Sequence, residues 1–196
     1  MLSQKADEYG VGTADVIQFA AAIGLASCTG GPVTSFYSGR EDSFSASHRG
    51  SMPDAQTDAR TMVDLFSKRN FSKTELVALT GAHTIGRQLD GTDMDSTAGV
   101  WDNKFYHETS GNSAPGSVAA DTFMAQAGET GEEWRTVGKT QKSFTSAFVP
   151  AMEKLSLLGN DKSNLVDCSA VVNSYARNAK VQRRVLLSGR KLESCA

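Results

Sequence analysis

Apolar side chains recur at helical spacing along most of this chain, and this pattern predicts its secondary structure. The first helix is predicted over 13–26, where four apolar residues follow the helical period: Val16, Ile17, Ala20 and Ile23. Thr13 is suited to cap the N-terminus of this helix, and the sequence CTGGP at 28–32 ends it. Because the segment is apolar on most sides, we expect the helix to be buried.

Two more helices are predicted on either side of a short break near Asn70. The first spans Asp54 to Asn70, and its apolar face is made of Met62, Val63, Leu65 and Phe66. The second begins at Ser72, because Ser72 and Glu75 can form a capping box, in which each side chain accepts a hydrogen bond from the backbone of the other. One face of that helix carries Leu76, Leu79 and His83.

The second half of the chain continues the helical pattern. Short helices are predicted over 101–109, 119–127 and 171–175, and a longer one over 132–158 that is interrupted near Pro150. The basic run at the C-terminus, VQRRVLLSGRK, is expected to be a solvated terminus. No group of segments alternates with the two-residue period of strands, and no internal repeat is visible, so the predicted fold class is all-α.

Composition and charge limit the classes of function. The chain has 196 residues, of which 39% are hydrophobic, and this suits one globular domain over 1–196. Its formal net charge of −2 gives no general attraction to nucleic acid or to an anionic membrane. The longest apolar run, Val16 to Ala26, contains Gln18 and Gly24 and is too short for a membrane helix. We therefore expect neither nucleic acid nor a membrane as a partner.

The N-terminus and the cysteines bear on the cellular compartment. The first residues, MLSQKADEYG, lack the apolar core of a signal peptide, which taken literally favours a cytosolic protein. The chain has three cysteines, Cys28, Cys168 and Cys195, so at least one has no partner within the chain. Cysteines spaced this widely are more often buried thiols than a disulfide framework, although an odd number also fits partners outside the chain.

His83 is the first candidate for chemistry. A histidine on an apolar helix face is usually a core residue with a hydrogen-bond partner nearby. His83, however, lies between Gly81 and Gly86 and directly before an acidic loop. One nitrogen of a neutral imidazole can bind iron while the other donates to a carboxylate, which makes the ring more electron-donating.

The acidic loop after His83 is the second candidate. Four aspartates lie within 13 positions of this loop, with Thr97 among them: Asp90, Asp93, Asp95 and Asp102. Oxygen atoms at this density suit a hard cation such as calcium, but a solvated polar loop is the favoured interpretation on composition alone. An EF-hand is excluded, because neither Asp90 nor Asp93 is followed by the required glycine and glutamate.

An ordered series of motifs resembles one known family. ELVALTGAHTIGRQ, which contains His83, is similar to the proximal-histidine motif of the plant, fungal and bacterial haem peroxidases. GVGTADVIQFAAAIGLASCTGGP and SFYSGREDS resemble the preceding segment of the secreted fungal (class II) members and their ascomycete relatives. MDSTAGVWDNKF, ADTFMAQ, PAMEKLSLLG and DCSAVV extend the likeness over nearly the whole chain. The resemblance implies the proximal, C-terminal half of the all-α haem peroxidase fold.

The resemblance also implies two cofactors and their ligands. His83 would be the axial ligand of the iron of haem b, and Asp121 would accept a hydrogen bond from its imidazole. Without the resemblance, Asp121 would be interpreted as a carboxylate on a helix surface. Calcium would be bound by five residues: Thr84, Asp95, Thr97, Val100 through its carbonyl, and Asp102.

Family members carry a further helix on the distal side of the haem, with a catalytic arginine and an acid–base histidine. This chain begins downstream of the corresponding position, so we expect an N-terminally truncated member without the distal catalytic residues. His48 and His107 lie in no such motif and are expected at the surface.

The cysteines agree with a missing segment. By resemblance, the disulfide partners of Cys28 and Cys168 would lie in that segment. The usual partner position of Cys195 holds Glu132 here. No familial disulfide is therefore expected within the chain.

The implied function is the hydrogen-peroxide-dependent one-electron oxidation of small, phenolic-type donors, in oxidative stress or in secreted oxidation. Ala78 stands where ligninolytic members have a radical-carrying tryptophan, and Leu89 approximately where manganese-oxidising members have an aspartate. The family implies a monomer that is secreted. Secretion conflicts with the N-terminus, which lacks the apolar core of a signal peptide. The alternative is a truncated, inactive haem-binding remnant or pseudoenzyme, because one face of the haem would lack its cover.

Overall fold

The computed structural model describes residues 2–46, 48 and 50–176. These residues are mainly helical and include one two-stranded sheet, which confirms the all-α class. They divide into two compact units, here called the terminal unit (2–27, 33–42 and 160–176) and the central unit (28–32, 43–46, 48 and 50–159).

The terminal unit contains two N-terminal helices and a small sheet. Its elements are α1 (Leu2–Tyr9), α2 (Thr13–Ser27), β1 (Tyr37–Ser38), a 3-10 turn (Lys162–Asn164), β2 (Val166–Asp167) and a helix over 169–176. β1 and β2 pair antiparallel, with Tyr37 opposite Asp167. This sheet was not predicted, because two residues per strand are too few to show an alternating pattern.

Helix α2 confirms the predicted helix over 13–26. Its buried side packs Ala22 against Phe36 and Val172, whereas Ile17 is 48% exposed, so the helix is not buried on all sides. The N–H groups of Thr13 and Ala14 donate to the carboxylate of Asp42. This carboxylate therefore satisfies the first turn, and Thr13 is itself helical rather than the cap.

No single helix among the described residues has the length and apolar character needed to cross a membrane. One pair of consecutive helices, Ser3–Tyr9 and Thr13–Ser27, meets both requirements only when taken together, and it is bent by 105° at the break.

The central unit is a group of helices that surrounds α4. Its elements are α3 (Ala59–Ser67), α4 (Lys73–Thr80), a 3-10 helix (Gly81–Ile85), α5 (Lys104–Ser110), α6 (Ala119–Gln126), α7 (Gly131–Val137) and α8 (Gln141–Ser156). Helix α4 packs against α3, α7 and α8. The predicted capping box is present, since Ser72 accepts from the N–H of Glu75 and Glu75 accepts from that of Ser72.

Three predicted helix boundaries were wrong for identifiable reasons. The helix expected from Asp54 begins only at Ala59, because Asp58 caps it by accepting from the N–H of Thr61. The α-helix that leads to His83 ends at Thr80 and continues as the 3-10 helix. The helix expected over 132–158 is two helices.

The break between those two helices lies at Gly138 and not at Pro150. Gly138 is the C-cap of α7, and Thr140 begins α8 through a second capping box with Ser143. Pro150 lies inside α8 and does not end it. A local capping signal therefore outweighs proline as the marker of the break.

The core of the central unit is aromatic. The rings of Trp101 and Phe144 are stacked with centroids 4.4 Å apart, and Tyr106 meets Trp134 edge-on at 5.0 Å. Both indole N–H groups donate to oxygens of the same unit, Trp101 to Thr145 Oγ1 and Trp134 to the buried carbonyl of Tyr106. These aromatic side chains are almost fully buried, and they fix the helices around α4.

A substitution at Gly81 would test the close packing at the junction of α4 and the 3-10 helix. A Cβ atom there would overlap Phe144 and Tyr106, both buried. We expect Gly81→Ala to lower the free energy of unfolding by about 1 to 3 kcal/mol, as overpacking usually does. Gly128→Ala is the control, because a Cβ atom at Gly128 meets nothing within 4 Å. Urea unfolding followed by tryptophan fluorescence measures both; equal stabilities would contradict this account.

Candidate functional site

His83 lies in the middle of the 3-10 helix and is held by one strong contact. Its Nδ1 atom is 2.9 Å from Oδ2 of Asp121, whose side chain is 1% exposed, whereas that of His83 is 43% exposed. Asp121 belongs to the first turn of α6, where the helix dipole stabilises a carboxylate. The structure thus brings the two residues together as the resemblance implied, although their ligand roles stay a prediction.

The contact with Asp121 determines what the rest of the imidazole can do. A carboxylate acceptor places the proton on Nδ1, so Nε2 keeps its lone pair in the neutral ring. Nε2 has no hydrogen-bond partner in the part of the chain that the structure describes. The edge of Phe105 meets the ring at 89°, with centroids 5.6 Å apart. His83 is therefore an oriented imidazole with one nitrogen available to a ligand.

A cavity of about 790 Å³ adjoins His83. It lies within the central unit, and most of its wall is apolar: Met62, Phe66, Leu76, Leu79, Met94 and Leu155. Volumes of this order hold cofactors and other small molecules in proteins. Asp121 also lines it, as does the loop that carries Arg87 and Leu89. The available nitrogen of His83 thus stands in the wall of an apolar chamber.

The five residues predicted to bind calcium also come together. The hydroxyl of Thr84 donates to Asp95 Oδ2 at 2.6 Å and lies 3.5 Å from the carbonyl oxygen of Val100. The hydroxyl of Thr97 donates to Asp102 Oδ2 at 2.9 Å and lies 3.4 Å from Asp95 Oδ1. Carboxylate, hydroxyl and carbonyl oxygens therefore converge on one small region of the central unit.

Asp95 shows the electrostatic character of this oxygen cluster. Its residue is fully buried, and no ion pair joins it to a cation within the described residues. Burial raises its pKa, and the negative charges of Asp102 and Glu108 raise it further, against hydrogen bonds from Thr84 and Thr97 that lower it. A bound cation would offset this unfavourable burial of charge.

The cluster has only two carboxylates, those of Asp95 and Asp102. Accordingly, no group of three or more His, Cys, Asp or Glu side chains that could hold a metal is found among the described residues. The other oxygens come from two hydroxyls and a main-chain carbonyl, which are ordinary ligands of calcium.

The other residues of the acidic loop point elsewhere. Asp90 is exposed and accepts from the backbone N–H of Thr92. Asp93 pairs with the guanidinium of Arg87. Neither aspartate joins the oxygen cluster, so only half of the acidic residues that drew attention to the loop belong to it.

None of the remaining sequence candidates among the described residues lines the cavity or belongs to the oxygen cluster. His48 and His107 are exposed, as predicted, and the imidazole of His107 is hydrogen-bonded to the side chain of Asn103. Neither Cys28 nor Cys168 forms a disulfide within the described residues. Cys195 lies outside them, as does the basic C-terminal run.

Three residues that support the site were missed by the sequence analysis. Phe105 orients the ring of His83, as described above. Glu108 accepts from both the backbone N–H and the hydroxyl of Ser96, which lies between two residues of the oxygen cluster. Thr29 accepts from the N–H of Trp101 at 2.7 Å and donates to the carbonyl of Gly99, so it braces Val100 from both sides.

Only one of these supports left a signal in the sequence. Phe105 lies in the first turn of a short helix, α5, that closely follows the acidic loop, and that position could have indicated it. The contacts of Glu108 and Thr29 depend on how distant segments meet, and no local pattern reveals them.

Comparisons with known proteins agree with the family resemblance of the motifs. The family model described as "Peroxidase" matches residues 2–178. The chain is 30% identical over 188 residues to a versatile peroxidase of Pleurotus eryngii, a match that covers 84% of this chain and 51% of the relative. It is 29% identical over 194 residues to a peroxidase of Arthromyces ramosus, covering 87% and 53%.

A third relative, the low-redox potential peroxidase of Taiwanofungus camphoratus, is 32% identical over 195 residues, covering 87% of this chain and 58% of the relative. The chain therefore spans little more than half the length of the curated relatives it matches.

The hydroxyl of Thr84 can be tested without any ligand. Thr84→Val removes a hydrogen bond to the buried carboxylate of Asp95, and we expect a loss of about 1 to 3 kcal/mol in unfolding free energy. Unfolding by urea in the presence of a calcium chelator measures it. Thr136→Val is the matched control, because Thr136 is exposed on α7. Equal losses in the two variants would mean that this hydrogen bond contributes nothing.

Proposed function

This chain belongs to the peroxidase family, and on that premise we propose that it forms the haem-binding proximal part of a hydrogen-peroxide-dependent peroxidase. Its similarity to fungal class II peroxidases, expected from the motifs, is confirmed by the comparisons. The proposed reaction is the one-electron oxidation of small, phenolic-type donors, in oxidative stress or in secreted oxidation. Because the relatives are about twice as long, the activity of the whole protein is part of the proposal.

One observation carries the haem assignment. The 2.9 Å contact between His83 Nδ1 and the buried Asp121 leaves Nε2 available in the wall of an apolar cavity. An axial histidine needs one free nitrogen and a fixed ring, and a porphyrin needs an apolar chamber. The residues present therefore fit haem b, with His83 as the iron ligand and Asp121 as the partner of His83.

The chemistry that haem supplies when bound is the reduction of hydrogen peroxide, coupled to the one-electron oxidation of two donor molecules. The chain's own contribution is to hold and tune the imidazole. Asp121 keeps the proton on Nδ1 and increases the basicity of the ring, which favours the ferric over the ferrous state. Phe105 packs against the ring, and most of the wall of the cavity is apolar.

We also propose a calcium ion at the oxygen cluster. Its ligands would be Thr84, Asp95, Thr97, the carbonyl of Val100, and Asp102. The charge of the buried Asp95 supports this, since a divalent cation would compensate it. Thr84 directly follows His83, so the ion would stiffen the 3-10 helix that carries the iron ligand.

The remaining parts of the proposal rest on the family. The match over residues 2–178 runs through both compact units, which supports one peroxidase domain. An extracellular location and a monomeric state are implied by the resemblance to secreted fungal members. The identity of the donor substrate is proposed only as far as the chemical class of small phenols.

The haem assignment is tested by adding haemin to the purified chain. We expect the Soret band of histidine-bound haem. This band should be lost in His83→Ala and kept in His48→Ala, since His48 is exposed. Asp121→Asn should keep the band, weaken haem binding by about 10- to 100-fold and raise the reduction potential of the iron. Spectroscopic titration and potentiometry measure these quantities.

Two results would count against this part of the proposal. An unchanged spectrum in His83→Ala would exclude His83 as the ligand. A reaction with hydrogen peroxide no faster than that of free haemin would mean that the chain holds haem without being a working peroxidase by itself.

The calcium assignment is tested by thermal or urea unfolding with and without a chelator. At a free calcium concentration of 100 times Kd, the ion should raise the unfolding free energy by about 2.7 kcal/mol. Asp102→Asn should abolish most of this gain, whereas Asp90→Asn, in the same loop but outside the cluster, should retain it. A calcium effect that is equal in both variants would exclude the site.

A further inference from the structure

The segment Asn70-Phe71-Ser72, between α3 and α4, matches the acceptor pattern for N-linked glycosylation, Asn-X-Ser/Thr with X other than proline. We infer that Asn70 is a glycosylation site of this protein. The inference rests on the extracellular location proposed above, because the oligosaccharide is added in the secretory pathway. It is the only such pattern in the sequence.

The backbone of Asn70 ends helix α3 in a defined way. Its N–H donates to the carbonyl of Ser67, and the N–H of Phe71 donates to that of Phe66. With Asn70 at φ 64°, these two bonds form a Schellman motif, whose penultimate residue must adopt the left-handed conformation. Asparagine adopts this conformation more readily than other residues with a Cβ atom. The cap explains why a residue of this type occupies the position.

The same cap directs the neighbouring side chain inward and leaves the amide of Asn70 outside. The ring of Phe71 is buried and meets Phe66 edge-on at 5.6 Å, which is the hydrophobic contact typical of this motif. Lys154 donates to the carbonyl of Asn70 at 2.6 Å and lies over the ring of Phe71. Every polar backbone atom of Asn70 is therefore used within the fold.

The side chain of Asn70, in contrast, is exposed and makes no hydrogen bond within the described residues. A glycan on its amide nitrogen would displace no contact of the central unit. Folding constrains only the backbone at this position, and the acceptor atom faces solvent.

Ser72 has a second task that bears on the timing of the modification. Its hydroxyl caps α4 by accepting from the N–H of Glu75 at 3.1 Å. In the folded chain this hydroxyl is engaged, so the acceptor pattern must be recognised before α4 forms. Transfer during synthesis meets this requirement.

The oligosaccharide is supplied by a donor of the secretory pathway. The amide nitrogen of Asn70 forms a bond to C1 of an oligosaccharide carried on a lipid pyrophosphate. The bond between C1 and the pyrophosphate oxygen breaks, the lipid pyrophosphate leaves, and the amide loses one proton. No atom of the chain is oxidised or reduced.

Asn112 offers a matched control within the central unit. It is also exposed and also has a positive φ, of 54°, but Ala114 stands where the acceptor pattern needs a hydroxyl. Conformation and exposure are thus alike at the two asparagines, and the hydroxyl two residues later is the difference. Ala114→Thr would supply it.

The experiment is expression of the full chain behind a secretion leader in a yeast, followed by peptide mapping before and after treatment with peptide-N-glycosidase. We expect a glycan on the Asn70 peptide and none on the Asn112 peptide. The enzyme should remove this glycan and convert Asn70 to aspartate. Asn70→Gly, which suits the left-handed cap, should abolish the modification, whereas Ser72→Thr, which preserves both the cap and the acceptor, should retain it.

An unmodified Asn70 peptide from secreted chain, in a sample in which Ala114→Thr makes Asn112 an acceptor, would overturn the inference. Because the leader forces the chain into the secretory pathway, this result would leave the proposed location and haem binding untouched. Those are judged separately, by the presence of the natural protein in the culture medium and by the Soret band, which Asn70→Gly should leave unchanged.

Discussion

The hydrogen bond between His83 and Asp121 is the interaction on which the candidate site depends. It joins the 3-10 helix to the first turn of α6, two segments far apart in sequence. Two residues before His83, the backbone at Gly81 lies directly against the buried rings of Phe144 and Tyr106. The aromatic core is therefore more than a source of stability, because it packs against the backbone that leads to the imidazole and, through Phe105, against the imidazole itself.

Negative charge is concentrated around the same short helix. Asp121 lies on one side, and Asp95 and Asp102 lie in the oxygen cluster, with Glu108 close enough to raise the pKa of Asp95. Burying carboxylates near each other is unfavourable in free energy. Among the described residues, no ion pair with Asp95 offsets this cost. Two metal centres, one behind the imidazole and one in the cluster, would account for this arrangement.

The sequence predicted those features that are encoded locally. The capping box at Ser72, the helix over 13–26 and the all-α class follow from short-range patterns and were confirmed. The partner of His83 could not be derived this way, because Asp121 looks like any exposed helical carboxylate until the family supplies its position. The supporting contacts of Glu108 and Thr29 could not be predicted from the sequence, since they arise where separate segments meet. The break at Gly138 was missed because proline received more weight than a second capping box.

Two adjacent residues of the 3-10 helix, His83 and Thr84, serve two different features. A 3-10 helix has three residues per turn, so adjacent side chains point about 120° apart. His83 consequently faces the apolar cavity while Thr84 is fully buried and donates to Asp95. Any loosening of the oxygen cluster would then reach the imidazole through a single residue, so the occupancy of the cluster and the orientation of the proposed iron ligand are coupled by construction.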